Sequence, residues 1–196
     1  RAQSIGRNRT MLESAELPPL AVQLREALAA EDIGVCYQPV IRFGDPDVVI
    51  GVEALLRWTH PERGAVSPLV AVAAAERSGL VRELGLLVVD RALAQLRAWQ
   101  RPTPLTMHVN VSPLQLRAPG FVPAVARLLE QHDVRASSLL LEITESAAMS
   151  GDPEVLAALD ALEEALEAPD AVTTFSLRAG EMLWLDNWTV AHDRTA

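Results

Sequence analysis

Three side chains able to bind a cation close three separate apolar runs. Glu53 lies in VVIGVEALLRW (Val48–Trp58), Asn110 in LTMHVNV (Leu105–Val111) and Glu142 in SLLLEI (Ser138–Ile143). A carboxylate at the end of a buried strand has given up its water and needs a cation or hydrogen-bond donors in exchange. Two carboxylates and an amide oxygen form an all-oxygen donor set, suited to Mg²⁺, Mn²⁺ or Ca²⁺ rather than zinc. A cation held there would polarise a phosphoryl oxygen and acidify a bound water. Arg57, four residues after Glu53, has the planar fork that grips a pair of phosphate oxygens. Each residue also has a structural reading. Glu53 could simply pair with Arg57. Asn110 could end a strand that enters a capped turn at Ser112-Pro113, and Glu142 could form a solvated pair with Glu145. His108 alternates in phase with Asn110, so it faces either the same rim or a hydrogen bond in the core. His132 reads as a helix-end residue.

The elements that must position these groups follow from periodicity and turn chemistry. Leu20, Leu24 and Leu28 mark an amphipathic helix. Val35–Phe43 and Val48–Leu55 read as strands joined by a Gly-Asp-Pro-Asp turn, and the β-branched run around Glu53 reads as buried on both faces. Ser67-Pro68 starts a helix that stops near Gly79. A longer helix is expected over Val81–Trp99, a strand over Leu105–Val111, a helix over Phe121–His132 and a strand over Ser138–Ile143. Strands alternating with long helices imply βαβ units and a parallel sheet. The chain is therefore expected to be α/β. No Gly-rich phosphate loop follows the first strands, and polar residues gather at strand C-termini, which favours a TIM-type (β/α) barrel with its site on that rim.

Composition narrows the partners. The chain has 196 residues, 49% hydrophobic, with a net charge of −9, enough for one domain with a sizeable core. That charge offers no basic footprint for bulk nucleic acid. All 17 basic residues are arginine. The lone Cys36 is expected to be a buried thiol, and cytoplasm is the expected compartment. No apolar segment reaches the roughly 20 residues of a membrane span. A homodimer is one assembly open to the chain.

GVEALLRW, NVSPLQL and LEITES, in this order, resemble the motifs of EAL-domain cyclic di-GMP phosphodiesterases, over about residues 20–160. Tyr37-Gln38-Pro39, His60-Pro61-Glu62-Arg63-Gly64 and Ala75-Glu76-Arg77-Ser78-Gly79-Leu80 add to the resemblance. It implies a TIM-like barrel that hydrolyses cyclic di-GMP to pGpG with Mg²⁺ or Mn²⁺ ions and an activated water. It further implies metal ligation by Glu53, Asn110 and Glu142, a catalytic role for Glu53, a loop-steadying catalytic role for Glu145, and contacts from Gln38 and Arg57 to the dinucleotide. Residues 1–19, with GRNR, resemble the tail of a GGDEF domain.

The pattern then departs from the family. Its Asp-Asp-Phe-Gly strand end falls on Thr173-Thr174-Phe175-Ser176, and no lysine exists to fill the family's catalytic lysine position. Neutral hydroxyls hold a pair of divalent ions poorly. A full barrel takes about 250 residues, so residues 20–160 form a truncated barrel whose open edges need cover. Catalysis is expected to be weak or absent, which leaves a non-catalytic cyclic di-GMP-binding module as the alternative. Residues 161–196 are expected to be a foreign segment with a β-hairpin around Arg178-Ala179-Gly180-Glu181. FSLRAGEMLWLDNWTVAHDRTA resembles the C-terminal motif of Fe(II)/2-oxoglutarate oxygenases of the clavaminate synthase and taurine dioxygenase type, where His192 would match the distal iron ligand. A facial triad also needs an upstream His-x-Asp/Glu pair, and His60-Pro61-Glu62 belongs to the EAL-like pattern, so that iron site is incomplete.

Overall fold

The computed structural model describes residues 19–42, 45–99 and 105–143, with isolated helical positions at 153, 154, 157 and 161. Helix α1 (Leu20–Ala29) leads into strands β1 (Ile33–Arg42) and β2 (Asp45–His60), a short strand β3 (Gly64–Val66), and helices α2 (Pro68–Ser78) and α3 (Val81–Ala98). Strand β4 (Thr106–Val111), helices α4 (Pro113–Arg117) and α5 (Phe121–His132), and strand β5 (Leu139–Ile143) follow. Among the described residues the expected helices and strands form. Strand β3, the short α4 and a 3₁₀ turn at Ala136–Ser138 are additions that periodicity did not reveal, because each is shorter than one period of its pattern can establish.

The sheet runs β1-β2-β4-β5, with β3 alongside β2. Strands β1 and β2 form the expected antiparallel hairpin, whereas β2–β4 and β4–β5 are parallel. Among the described residues the sheet is open. One face, through Ala54, Leu56, Trp58, Met107, Val109 and Val111, packs with Val88, Val89, Leu93, Phe121 and Val125 of the helices into a single core. The side chains in phase with Glu53, His108 and Asn110 fall on the other face by the strand period of two.

Strand β2 explains both the success and the error in reading the run around Glu53. Residues 51–54 are buried on both faces, as expected, but from Leu55 to Thr59 burial alternates. The strand continues to His60 and, beyond its parallel ladder with β4, turns to pair with β3 through Trp58↔Val66 and His60↔Gly64. Glu53 therefore lies in mid-strand, one residue before the parallel ladder ends at Ala54. His60 is structural: its Nδ1 accepts the backbone N–H groups of Glu62 and Arg63, both at 3.2 Å, closing the β2–β3 turn.

Cys36 is corrected from buried to exposed. It sits on β1, a terminal strand of the described sheet, one residue out of phase with Tyr37, which takes the helix-facing side. Tyr37 donates its hydroxyl to Arg91 O at 3.0 Å and stands edge-on to Trp99 at 5.2 Å. Burial pushes the Tyr37 hydroxyl above its ordinary 10.0, against the opposing pull of the Arg91 charge. A pKa raised on folding contributes stability that is complete below the unfolded value and is lost as pH climbs through the folded one. Unfolding free energy is therefore expected to hold level up to about pH 10 and then fall, with Tyr37→Phe lacking that fall. Tyr37 is the single tyrosine, so the tyrosinate absorbance of the folded chain reads it directly; a midpoint at or below the ordinary value would contradict this account.

Candidate functional site

The turn after Asn110 is built to hold it still. Ser112 N-caps α4 in a capping box: its Oγ accepts Gln115 N at 3.4 Å, while Gln115 Oε1 accepts Ser112 N at 2.6 Å. Buried Gln115 also donates Nε2 to Val81 O at 3.0 Å, tying α4 to the start of α3. The capped-turn reading thus holds for Ser112, and Asn110 is left for another purpose.

That purpose is a bond across the sheet. Asn110 Nδ2 donates to Glu53 Oε1 at 2.7 Å. Glu53 is 8% exposed, and a buried carboxylate facing a neutral amide is poorly compensated for its lost hydration. Because the amide nitrogen is committed to Glu53, the Asn110 carbonyl oxygen is the group left to meet a ligand. Arg57 does not supply the missing charge. It lies four residues further along the same strand face, about 13 Å away at the strand rise, where Nη1 donates to Leu56 O at 2.8 Å. The simple Glu53–Arg57 pair is therefore overturned by strand geometry.

The neighbouring strand brings in the second carboxylate. Asn110 is registered opposite Glu142, and Glu53 opposite His108, so residue pairs on one face stand side by side. His108 Nδ1 lies 2.8 Å from Glu142 Oε1, and its Nε2 lies 3.0 Å from Thr106 Oγ1. The His108 and Glu142 side chains are 13% and 8% exposed. Gln38 is registered opposite Glu53 on β1 and is exposed, at the margin of the same face. Glu145 and His192 lie outside the described residues, as do Thr173-Thr174-Phe175-Ser176 and the expected C-terminal hairpin. His132 ends α5 as expected and is held by Asp90 of α3 at 2.7 Å.

Among the described residues, no three or more His, Cys, Asp or Glu side chains gather at metal-ligand spacing. The donor set here is a different one, an amide bonded to one carboxylate and in register with a second, and it fits a hard cation that keeps several waters. The sequence pattern found Glu53, Asn110, Glu142 and the phase of His108. It missed Thr106 and Gly51, although their spacing from His108 and Glu53, two residues in each case, already placed them on the same face.

Residues 21–168 match the EAL domain family. The chain belongs to the EAL domain family. Its mixed α/β architecture is that of EAL-domain structures, a TIM-like barrel type, with the sheet open among the described residues. It is 44% identical over 128 residues to an uncharacterized signaling protein of Caulobacter vibrioides, covering 65% of this chain and 16% of that protein. It is 35% identical over 164 residues to the bifunctional diguanylate cyclase/cyclic di-GMP phosphodiesterase MucR of Pseudomonas aeruginosa, covering 83% of this chain and 24% of that protein. A solved PaMucR phosphodiesterase in complex with c-di-GMP superposes with a TM-score of 0.66 at 36% identity, covering 75% of this chain and 60% of that one. The EAL chain therefore spans a quarter or less of these two curated relatives. EAL phosphodiesterases in general depend on divalent metal. Among the described residues, no helix is long and apolar enough to cross a membrane.

Proposed function

We propose that this EAL domain binds cyclic di-GMP on the sheet face carrying Glu53, Asn110 and Glu142, with a divalent cation, Mg²⁺ or Mn²⁺, held by those three side chains. Hydrolysis to pGpG is weak or absent. The observation that carries the reading is the 2.7 Å bond from Asn110 to buried Glu53, with Glu142 registered beside Asn110. It sets the Glu53 carboxylate and the Asn110 amide oxygen on one sheet face beside the Glu142 carboxylate.

The chain's own residues divide the work. Glu53 and Glu142 supply negative charge to the cation, and Asn110 supplies a neutral oxygen while holding Glu53 in place. Gln38 and Arg57 contact the dinucleotide, Arg57 through a paired grip on phosphate oxygens. Glu145 is assigned the loop-steadying catalytic role that the EAL resemblance implies. When bound, the metal polarises a phosphoryl oxygen and acidifies water. The absence of lysine and the hydroxyls at Thr173 and Thr174 favour binding over turnover. Residues 1–19 are read as a GGDEF-like tail, and the residues beyond 168, where the EAL match ends, as a segment foreign to that domain, in a cytoplasmic signalling protein.

Calorimetric titration with cyclic di-GMP in the presence of Mn²⁺ tests the reading, alongside chromatography of the product. Binding is expected with little pGpG. No heat with or without metal would remove the binding reading, and rapid Mn²⁺-dependent pGpG formation would remove the expectation of weak catalysis.

A further inference from the structure

His108 is held at both ends. Its Nδ1 meets Glu142 Oε1 at 2.8 Å, and its Nε2 meets Thr106 Oγ1 at 3.0 Å, with Thr106 Oγ1 also 3.4 Å from Ile50 O. An ionised carboxylate only accepts, so Nδ1 carries the proton in this contact. The far nitrogen is satisfied in either charge state of the ring. In the neutral ring the Thr106 hydroxyl donates to Nε2; in the cationic ring Nε2 donates to that hydroxyl, which turns to Ile50 O. Strand β2 leaves room for the arrangement at Gly51, where a Cβ would stand 2.9 Å from His108 Nε2, 3.0 Å from Thr106 O and closer still to Thr106 Oγ1. Backbone carbonyl and buried ring cannot both move aside, so glycine is needed here for close approach.

We propose that His108 is a positioning residue of the cation site: braced on Thr106 over the gap left by Gly51, it fixes the carboxylate plane of Glu142 for the ion. This rests on the reading that Glu142 ligates a cation. A ligand carboxylate with one oxygen tied to a rigid N–H loses rotational freedom before the ion arrives, and partners of this kind support metal affinity. Thr106 acts one step further back, by fixing the ring.

The test is a Mn²⁺ titration of the whole chain followed by the electron paramagnetic resonance signal of free Mn²⁺, which needs no substrate and no turnover. His108→Ala is expected to raise the dissociation constant roughly 10- to 100-fold. His108→Asn, whose amide N–H falls near the position of Nδ1, is expected to recover most of the loss. Gly51→Ala and Thr106→Val are expected to weaken binding in the same direction, by displacing or releasing the ring. Denaturation curves without metal separate this effect from loss of fold. Tight binding by the parent chain with His108→Ala unchanged overturns the positioning role alone. Equal weakening in the alanine and asparagine variants overturns it too, since a merely space-filling role predicts no rescue. No Mn²⁺ binding by the parent chain overturns this inference and the cation reading together.

Discussion

On the proposed cation site, Glu53→Ala is expected to raise the Mn²⁺ dissociation constant at least about 100-fold, the upper end of what loss of a supporting partner costs, because it would delete a charged ligand and release the amide of Asn110, the second donor. Asn110 is held by its 2.7 Å bond to Glu53; without that acceptor it can rotate and withdraw its oxygen. The effect on stability is readable by linkage. At a metal concentration of 100 times the parent dissociation constant, Mn²⁺ should stabilise the parent chain by about 2.7 kcal/mol. The variant, with affinity reduced by the same factor, should gain only about 0.4 kcal/mol. Glu53→Gln keeps the size and one oxygen but removes the charge, and should behave nearly as badly as alanine if charge is what the cation needs. Urea unfolding with and without Mn²⁺ measures all three chains. An unchanged metal increment in Glu53→Ala would mean that the ion, if bound, sits elsewhere.

Phe121→Ala is expected to cost about 3–5 kcal/mol, the usual range for deleting a buried aromatic ring. That is a large share of the 5–15 kcal/mol typical of a whole domain. Phe121 is 0% exposed at the start of α5. A Cβ on Gly85 of α3 would meet its ring edge at 3.2 Å, and would collide with the buried amide of Gln115. The ring therefore backs the junction of α3, α4 and α5, where Gln115 closes the box on Ser112 just past Asn110. The expected result in urea is a lower midpoint with an unchanged slope, because the folded and unfolded states expose the same surfaces as before. A loss under about 1 kcal/mol would show that the helices close over the gap more easily than this packing allows.

Long, strongly patterned elements were legible in the sequence. The 12 residues of α5 and the 18 of α3 repeat their apolar face often enough to identify themselves, and Gly79 marks the end of α2 through a left-handed φ of 73°. The short α4 was not legible as a helix, since five residues carry little more than their capping box. The extent of β2 was also misjudged. Its last residues continue only because β3 folds back against them, and that pairing is a tertiary event with no local signal. Cys36 was misplaced for a related reason: alternation tells which residues share a face, but not which face the helices will cover.

By itself the sequence determined the α/β alternation and three oxygen-bearing side chains, each carried in an apolar run. It also showed that all 17 basic residues are arginine, with no lysine among them. The tertiary structure decided the partners. It set Asn110 against Glu53 and His108 against Glu142, sent Arg57 to a backbone carbonyl, and let Gly51 make the space that His108 fills. The physical reason is register: a strand fixes the face of each side chain by its own period, but which groups meet across strands depends on a pairing that a one-residue slip would reverse.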